Sequence, residues 1–368
     1  MRKAWKYTAI DLFLRARSGQ RDLLASREAF RQPGVTDTLN NIVIYSTTAL
    51  GDFMMNSPAI YALRQRFPAA RITLVAHPKF KAFFDGGRDW DRVVYWNSKV
   101  KTVGALVRTL RDRGAPDLAV ILHSHPPYDY LSAVLSGARF VFRDNYHDDV
   151  APMNKWLTNY TIGFRGHLIQ RKLELIAPLG CDIRDVAMKL PQWPAPVASR
   201  ETTRILGFQM GASSPERCWP ADHFATVANT LLARDAQLRV VLIGGPGEKH
   251  LVDPFMALVR PELQSRIDNQ IGNTTLPALV ETINRFDVLL TGDTGPMHIA
   301  IALKVPTVCL FVTEEPSSSG PYQQVERHRV LYGVRTALNE GARAERAMRT
   351  IATPEAIAAV CDAGNLGR

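Results

Sequence analysis

Two runs of alternating short apolar segments and helical periods, separated by a proline-rich stretch, constrain this chain more than any other feature. The first begins at Asn41-Ile42-Val43-Ile44-Tyr45, passes through a loop into a helical pattern over Pro58–Phe67, and continues with Arg71-Ile72-Thr73-Leu74-Val75 and Leu118-Ala119-Val120-Ile121-Leu122. Compact apolar runs bounded by polar residues or proline are what buried parallel strands require. Strand, helix, strand in this order builds a doubly wound α/β sheet. Pro191-Gln192-Trp193-Pro194-Ala195-Pro196 reads as an extended linker. Beyond it the alternation restarts at Ile205–Gln209 and runs through Arg239–Ile243, Asp287–Leu290 and Thr307–Phe311. The expected organisation is an N-terminal extension over 1–38, a doubly wound domain over 39–190, a linker over 191–203, a second such domain over 204–345 and a C-terminal helical segment over 346–368. A length of 368 residues agrees, because one hydrophobic core stops growing below that size. Two such domains facing one another leave a cleft at the carboxyl ends of both sheets, where ligands of open α/β folds sit.

Composition narrows the function classes. With 46% hydrophobic and 22% charged residues the chain is globular rather than disordered or fibrous. It has no uninterrupted apolar run of about 18 residues and no apolar h-region followed by a cleavage site, so the expected address is the cytosol. Cys181, Cys218, Cys309 and Cys361 are scattered without a C-x-x-C pair, which suits reduced structural thiols and argues against a zinc cage. The net charge of +10 calls for an acidic partner: nucleic acid, an anionic membrane face or a phosphorylated substrate. Nucleic acid is the weakest of these, since zinc-finger spacing, RNP-type aromatics and dense Lys/Arg runs are all missing. In the extension, Trp5, Ala9, Leu12 and Phe13 recur at helical spacing among Arg2, Lys3, Lys6, Arg15 and Arg17. Such a basic amphipathic helix can lie on a membrane or pack on its own domain, and the shortness of the stripe favours packing.

Three strand-to-helix turns carry the chemistry. In Asp287-Val288-Leu289-Leu290-Thr291-Gly292-Asp293-Thr294-Gly295-Pro296-Met297-His298, Pro296 suits the first helical position and Asp293 or Thr294 can cap. Gly292 and Gly295 let backbone N–H groups approach a ligand at the positive end of a helix, which favours a diphosphate, and His298 in the first turn can donate to a phosphate oxygen. The plainer alternative is a well-capped helix start with His298 satisfied in the core. Leu242-Ile243-Gly244-Gly245-Pro246-Gly247-Glu248 departs from G-x-G-x-x-G, so a nicotinamide site is not supported. Glu248 there is either a ribose ligand or a helix-start acid. Ser46-Thr47-Thr48-Ala49-Leu50-Gly51-Asp52 sets Asp52 at the carboxyl end of the first sheet, where a carboxylate can take a proton from an attacking hydroxyl or simply cap a helix. His123 and His125, near the end of a later strand, are alternative bases or acceptor-side residues.

In this order the turns resemble the lipopolysaccharide heptosyltransferases, glycosyltransferase family 9. The likeness runs from about Asn41 to Tyr322. It takes in Ala49-Leu50-Gly51-Asp52, Ser57-Pro58-Ala59, Leu63–Pro68, Gly211-Ala212-Ser213 to Trp219-Pro220, Ile271–Leu276, Gly292–His298, Val305–Val308 and Gly320-Pro321-Tyr322. The resemblance implies a GT-B architecture of two Rossmann-like domains and an inverting transfer of heptose from an ADP-activated donor to a hydroxyl of the lipopolysaccharide inner core, with no obligatory metal. It implies Asp52 as the base, with Gly51 beside it on the acceptor side, and Gly292, Asp293, Thr294, Gly295 and His298 at the donor diphosphate. Gly211 and Ser213 also fall on the donor side, and Thr274 and Glu248 at the nucleoside. Arg217 stands where the family commonly has a lysine that reaches the donor phosphates. An arginine neutralises a diphosphate too, with a planar fork in place of a point charge. The partners implied are a sugar nucleotide and a phosphorylated, membrane-held acceptor met at the cytoplasmic face of the inner membrane. Rivals on the same scaffold are a transferase or epimerase of another sugar nucleotide, or a non-catalytic sugar-nucleotide-binding protein.

Overall fold

The computed structural model describes residues 4–18, 23–145, 153–163, 166–195, 203–312, 315–333 and 345–366. Residues 196–202 of the expected linker, and Arg2 and Lys3 of the extension, lie outside the described residues. The chain divides into two compact units, Met1–Gln192 and Trp193–Arg368.

Unit 1 holds β1 (Asn41–Ser46), β2 (Arg71–Ala76), β3 (Arg92–Tyr95), β4 (Leu118–His123), β5 (Phe140–Asp144) and β6 (Asn159–Thr161) in the order β3-β2-β1-β4-β5-β6. Every neighbouring pair is parallel. Ile42 to Tyr45 and Leu118 to Leu122 are buried, as strands covered on both faces must be. The N-terminal extension supplies α1 (Ala4–Ser18) and α2 (Leu23–Phe30). Phe30 of α2 meets Phe140 and Phe142 edge-on at 5.2 and 5.1 Å. Helix α1 does pack on its unit, but through Tyr7, Asp11 and Leu14, whereas Trp5, Leu12 and Phe13 of the sequence stripe are exposed.

Helix α3 (Leu50–Arg66) begins well before the pattern at Pro58 suggested, so that Pro58 lies inside it. Proline has no N–H for the carbonyl of Met54, and the Ser57 hydroxyl donates to that carbonyl at 2.7 Å instead. The helices of the unit also include α4 (Val103–Arg111), α5 (Tyr128–Leu135) and α6 (Leu168–Ile176), α4 burying Val103, Leu106 and Leu110 from one face.

Unit 2 repeats the plan. Strands β7 (Arg204–Gln209), β8 (Leu238–Ile243), β9 (Ile267–Asn269), β10 (Val288–Gly292), β11 (Thr307–Phe311) and β12 (His328–Tyr332) lie in the order β12-β11-β10-β7-β8-β9, all parallel. Its helices include α7 (Ala221–Arg234), α8 (Leu276–Asn284), α9 (Gly295–Ala302) and α10 (Thr353–Gly364). The C-terminal segment belongs to this core: Ala356 and Val360 are buried in it, and Trp219 Nε1 donates to the Ile351 carbonyl at 3.2 Å. All four cysteines are free.

In each unit the chain lays down three strands in one direction and the next three in the other, so β1 neighbours β4 and β7 neighbours β10. The carboxyl ends at this reversal are where open α/β sheets bind ligands.

Candidate active site

Two of the three residues read as acid–base candidates, Asp52 and His123, meet at the reversal point of unit 1. The register of β1 on β4 runs from Tyr45 opposite Ile121 to Ser46 opposite His123, a bulge that skips Leu122. The Thr47 amide then donates to the His123 carbonyl at 2.9 Å, and the bypassed Leu122 carbonyl accepts from Lys172 Nζ at 2.6 Å. Asp52 is the third residue of α3, not its cap, and its Oδ2 accepts from the Ala49 amide at 3.0 Å. Its Oδ1 lies 3.2 Å from His123 Nδ1, with the two side chains 22% and 25% exposed, so an acceptor hydroxyl can reach them. Burial raises the Asp52 pKa, but the His123 imidazole, the Thr48 hydroxyl and the Ala49 amide outweigh it and hold the carboxyl well below the usual carboxylate range. Gly51 lies beside Asp52 in the first turn of α3. His125 is exposed on the loop after β4, close enough to contribute, after burial and Lys79, to the lowered pKa of His77.

Hydroxyls lace the surrounding loops together. Thr47 Oγ1 lies 2.9 Å from Ser98 Oγ and 2.7 Å from Ser124 Oγ, joining the loops after β1, β3 and β4. Ser98 has a left-handed backbone, φ 57°, which a residue other than glycine adopts at a cost and which clusters at functional sites. Beneath lies a buried ionic layer. Asp144, at the end of β5, accepts from Lys172, Arg171 and Thr161, and Arg143 pairs with Asp129 at 2.9 Å. Burial pushes the Asp144 carboxyl up, but Lys172 and Arg171 outweigh it and bring its pKa down to about 2.

Unit 2 offers a different kind of reversal point. Thr294 occupies the N-cap position of α9 but makes no side-chain cap hydrogen bond, its Oγ1 lying 3.2 Å from Thr291 Oγ1. The first-turn amides therefore lack the side-chain acceptor of a capped start. Arg217 reaches this turn from the loop after β7: Nη2 pairs with Asp293 Oδ2 at 2.8 Å and also donates to the Asp293 carbonyl, while Nη1 donates to Ser213 Oγ at 3.1 Å. A Cβ on Gly292 would stand 3.3 Å from the Arg217 carbonyl, so glycine lets the two loops approach. His298 is 2% exposed, and its Nε2 faces Asp293 Oδ1 at 3.6 Å.

Glu248 realises the helix-start arrangement. Its Oε2 accepts from the Gly245 amide and from Gln209 Nε2, each at 3.1 Å. A Cβ on Gly211 would come within 2.3 Å of the Glu248 carboxyl carbon, and one on Gly244 within 2.1 Å of Oε2. Both glycines are therefore spaces that the carboxylate fills. Thr274 is half-buried between the Gly272 turn, φ 73°, and the N-cap Thr275 of α8. Among the described residues no group of three or more His, Cys, Asp or Glu side chains is arranged to hold a metal ion, and no helix is long and apolar enough to cross a membrane.

Glycosyltransferase family 9 (heptosyltransferase) matches residues 132–340, more than half of the chain. The chain belongs to this family. It is similar to lipooligosaccharide heptosyltransferase 2 of Campylobacter jejuni, 27% identical over 293 residues that cover 77% of this chain and 84% of the relative. Among solved structures it resembles a family 9 glycosyltransferase of Veillonella parvula, with TM-score 0.72, 22% identity and coverage of 89% of this chain and 97% of the other. The ADP-heptose lipopolysaccharide heptosyltransferase II of E. coli also has TM-score 0.72, at 20% identity with coverage of 88% and 98%. The GT-B fold of two parallel six-stranded units is thereby established, and with it a glycosyltransferase.

Parts of this glycosyltransferase's candidate site were not singled out from sequence. Ser98, Ser124 and Gln209 are polar residues at the ends of apolar strands or just beyond them, a signal visible only once the strands are known. The Arg143-Asp144 and Arg171-Lys172 doublets end or interrupt otherwise apolar segments, and charge in that setting marks buried pairing.

Proposed function

We propose that this family 9 glycosyltransferase moves heptose from an ADP-activated donor to a hydroxyl of the lipopolysaccharide inner core, with inversion at the anomeric carbon. The observation that carries this reading is the pairing of Asp52 with His123 at the reversal point of unit 1, while unit 2 offers an uncapped helix start with Arg217 beside it. The relatives, lipooligosaccharide and lipopolysaccharide heptosyltransferases, support the same donor and acceptor.

In this mechanism the acceptor hydroxyl, bound by unit 1, gives its proton to the Asp52 carboxylate as its oxygen attacks the anomeric carbon from the face opposite ADP. The bond from that carbon to the diphosphate oxygen breaks, and ADP leaves with the electron pair. A depressed pKa keeps Asp52 ionised and ready, and His123 holds the carboxylate in place. Charge growing on the diphosphate meets the first-turn amides of α9 and the Arg217 guanidinium. Glu248 and Thr274, after β8 and β9, are assigned to the nucleoside, with Gly211 and Ser213 flanking it. His298 keeps Asp293 oriented. The phosphorylated acceptor is met at the cytoplasmic face of the inner membrane by the basic surface of unit 1.

The test is transfer from ADP-heptose to a panel of truncated core acceptors, with the anomeric configuration of the product determined. A heptosylated product with inverted configuration is expected, lost in Asp52→Asn. No product with any acceptor, or turnover of the sugar nucleotide that is indifferent to acceptor, would retire the assignment.

A further inference from the structure

Helix α1 carries apolar side chains on two opposite faces, the inner one around a buried aspartate. Tyr7, Asp11 and Leu14, spaced i, i+4 and i+7, are buried against unit 1. Asp11 is held there by Trp156 Nε1 at 2.8 Å, by Lys155 at 2.5 Å and by Arg15 at 3.1 Å. At 3.6 residues per turn, the arc opposite these three carries Leu12, Trp5 and Phe13, with the small side chains of Ala9 and Ala16 between them. Trp5 is 65% exposed, Leu12 62% and Phe13 50%. Arg15 lies on one margin of the arc and Lys6 and Arg17 on the other. Asp11, the helix's only acid, faces inward, already paired with cations.

We propose that this outer face of α1 docks on an anionic lipid bilayer, with Trp5, Leu12 and Phe13 at the boundary between headgroups and acyl chains and Lys6, Arg15 and Arg17 level with lipid phosphates. Exposed apolar side chains gathered on one helix face call for a cover. Cations on both margins select an anionic one: they would oppose each other if the same face met its copy, and lysine is depleted in protein–protein interfaces. A net charge of +10 on the whole chain acts in the same direction. An indole beside aliphatic and phenyl groups, bordered by lysine and arginine, matches the chemistry of interfacial helices. With 15 residues the helix is too short to span a bilayer. Because Tyr7, Asp11 and Leu14 already fix it to unit 1, the lipid-facing side is preformed and needs no coupled folding. The proposal builds on the functional reading only in supposing that the acceptor sits in a membrane.

The test is co-sedimentation of the full chain with vesicles of phosphatidylcholine alone and of phosphatidylcholine mixed with phosphatidylglycerol. Binding to the mixed vesicles is expected, weakened by added salt, with little to phosphatidylcholine alone. Leu12→Gln combined with Phe13→Gln should lower the partition coefficient by about tenfold or more, and Lys6→Glu with Arg17→Glu should abolish the preference for phosphatidylglycerol. Glutamine and glutamate are good helix formers and the altered side chains face outward, so circular dichroism and melting should be unchanged, as should heptose transfer to a water-soluble acceptor. Failure of the native chain to bind mixed vesicles, or equal binding by the glutamine variant, would overturn the proposal. So would a native dimer, seen without lipid, that the same variant dissociates. Vesicle binding is read without any sugar, so a protein that binds vesicles yet transfers no heptose would sink the functional reading and leave the docking face standing.

Discussion

At its reversal point unit 1 carries an aspartate–histidine pair laced by hydroxyls, whereas unit 2 carries glycines, an arginine and an uncapped helix start, although the strand order is the same in both. The difference begins in the first helical turn. In α3 the acid at the third position returns one oxygen to the Ala49 amide, so the positive end of the helix already faces its own carboxylate. In α9 the corresponding stretch holds Gly295 and Pro296, and no side chain caps it. One backbone plan therefore presents a carboxylate in one unit and an uncapped helix start in the other, depending on whether the chain supplies its own anion.

Substitution at Asp52 should break the comparison most sharply. Asp52→Asn is expected to cost kcat about 10²- to 10⁴-fold while ADP affinity, measured by calorimetry, stays unchanged. A parallel loss of ADP affinity would mean that the units do not divide the work in this way. Next, Asp144→Ala strips the counter-ion from Lys172 and Arg171 and should destabilise unit 1 by about 3–5 kcal/mol, read as a lower denaturant midpoint for that unit alone. The sign of the linked pH effect follows from the depressed pKa. The stabilisation from Asp144 is complete above the ordinary aspartate value of about 3.9 and drains away as pH falls through about 2. Acid titration of the variant should lack that loss.

Arg217→Ala should weaken ADP binding about 10- to 100-fold with little change in acceptor KM, and Arg217→Lys should recover part of it. An unchanged ADP affinity would leave Arg217 as a partner of Asp293 only. The smallest effect is expected from His123→Gln: kcat at neutral pH should fall less than about tenfold. The acid limb of the pH profile should move up toward the usual carboxylate range, because a group that lowers the Asp52 pKa has been removed. A loss as large as that of Asp52→Asn would instead put the transferred proton on the imidazole.

Most of the sheet was legible in sequence because buried parallel strands are near-continuous apolar runs. Those at 118–122 and 307–311 declare themselves. Short or partly exposed strands such as β3 and β9 do not, since four residues of half-buried Arg92-Val93-Val94-Tyr95 give no period. The start of α3 was hidden by Pro58, which normally marks a helix boundary and here is accommodated by the Ser57 hydroxyl. The stripe of α1 was legible as a stripe, but which face packs was decided by Asp11, a charged residue whose partners Lys155 and Trp156 are remote in sequence.

By itself the sequence determined two doubly wound units and the turns at Asp52 and at Gly292 to Gly295, because apolar periodicity and glycine placement are local properties. Only the tertiary structure decided that His123 closes on Asp52, that Arg217 clamps Asp293, that Gly211 is room for Glu248 and that His298 faces inward. The first three are contacts between loops 37 to 76 residues apart, set by strand order and by a bulge at the end of β4. Hydrogen bonds across such separations depend on where the sheet puts each strand end, and no local pattern encodes that.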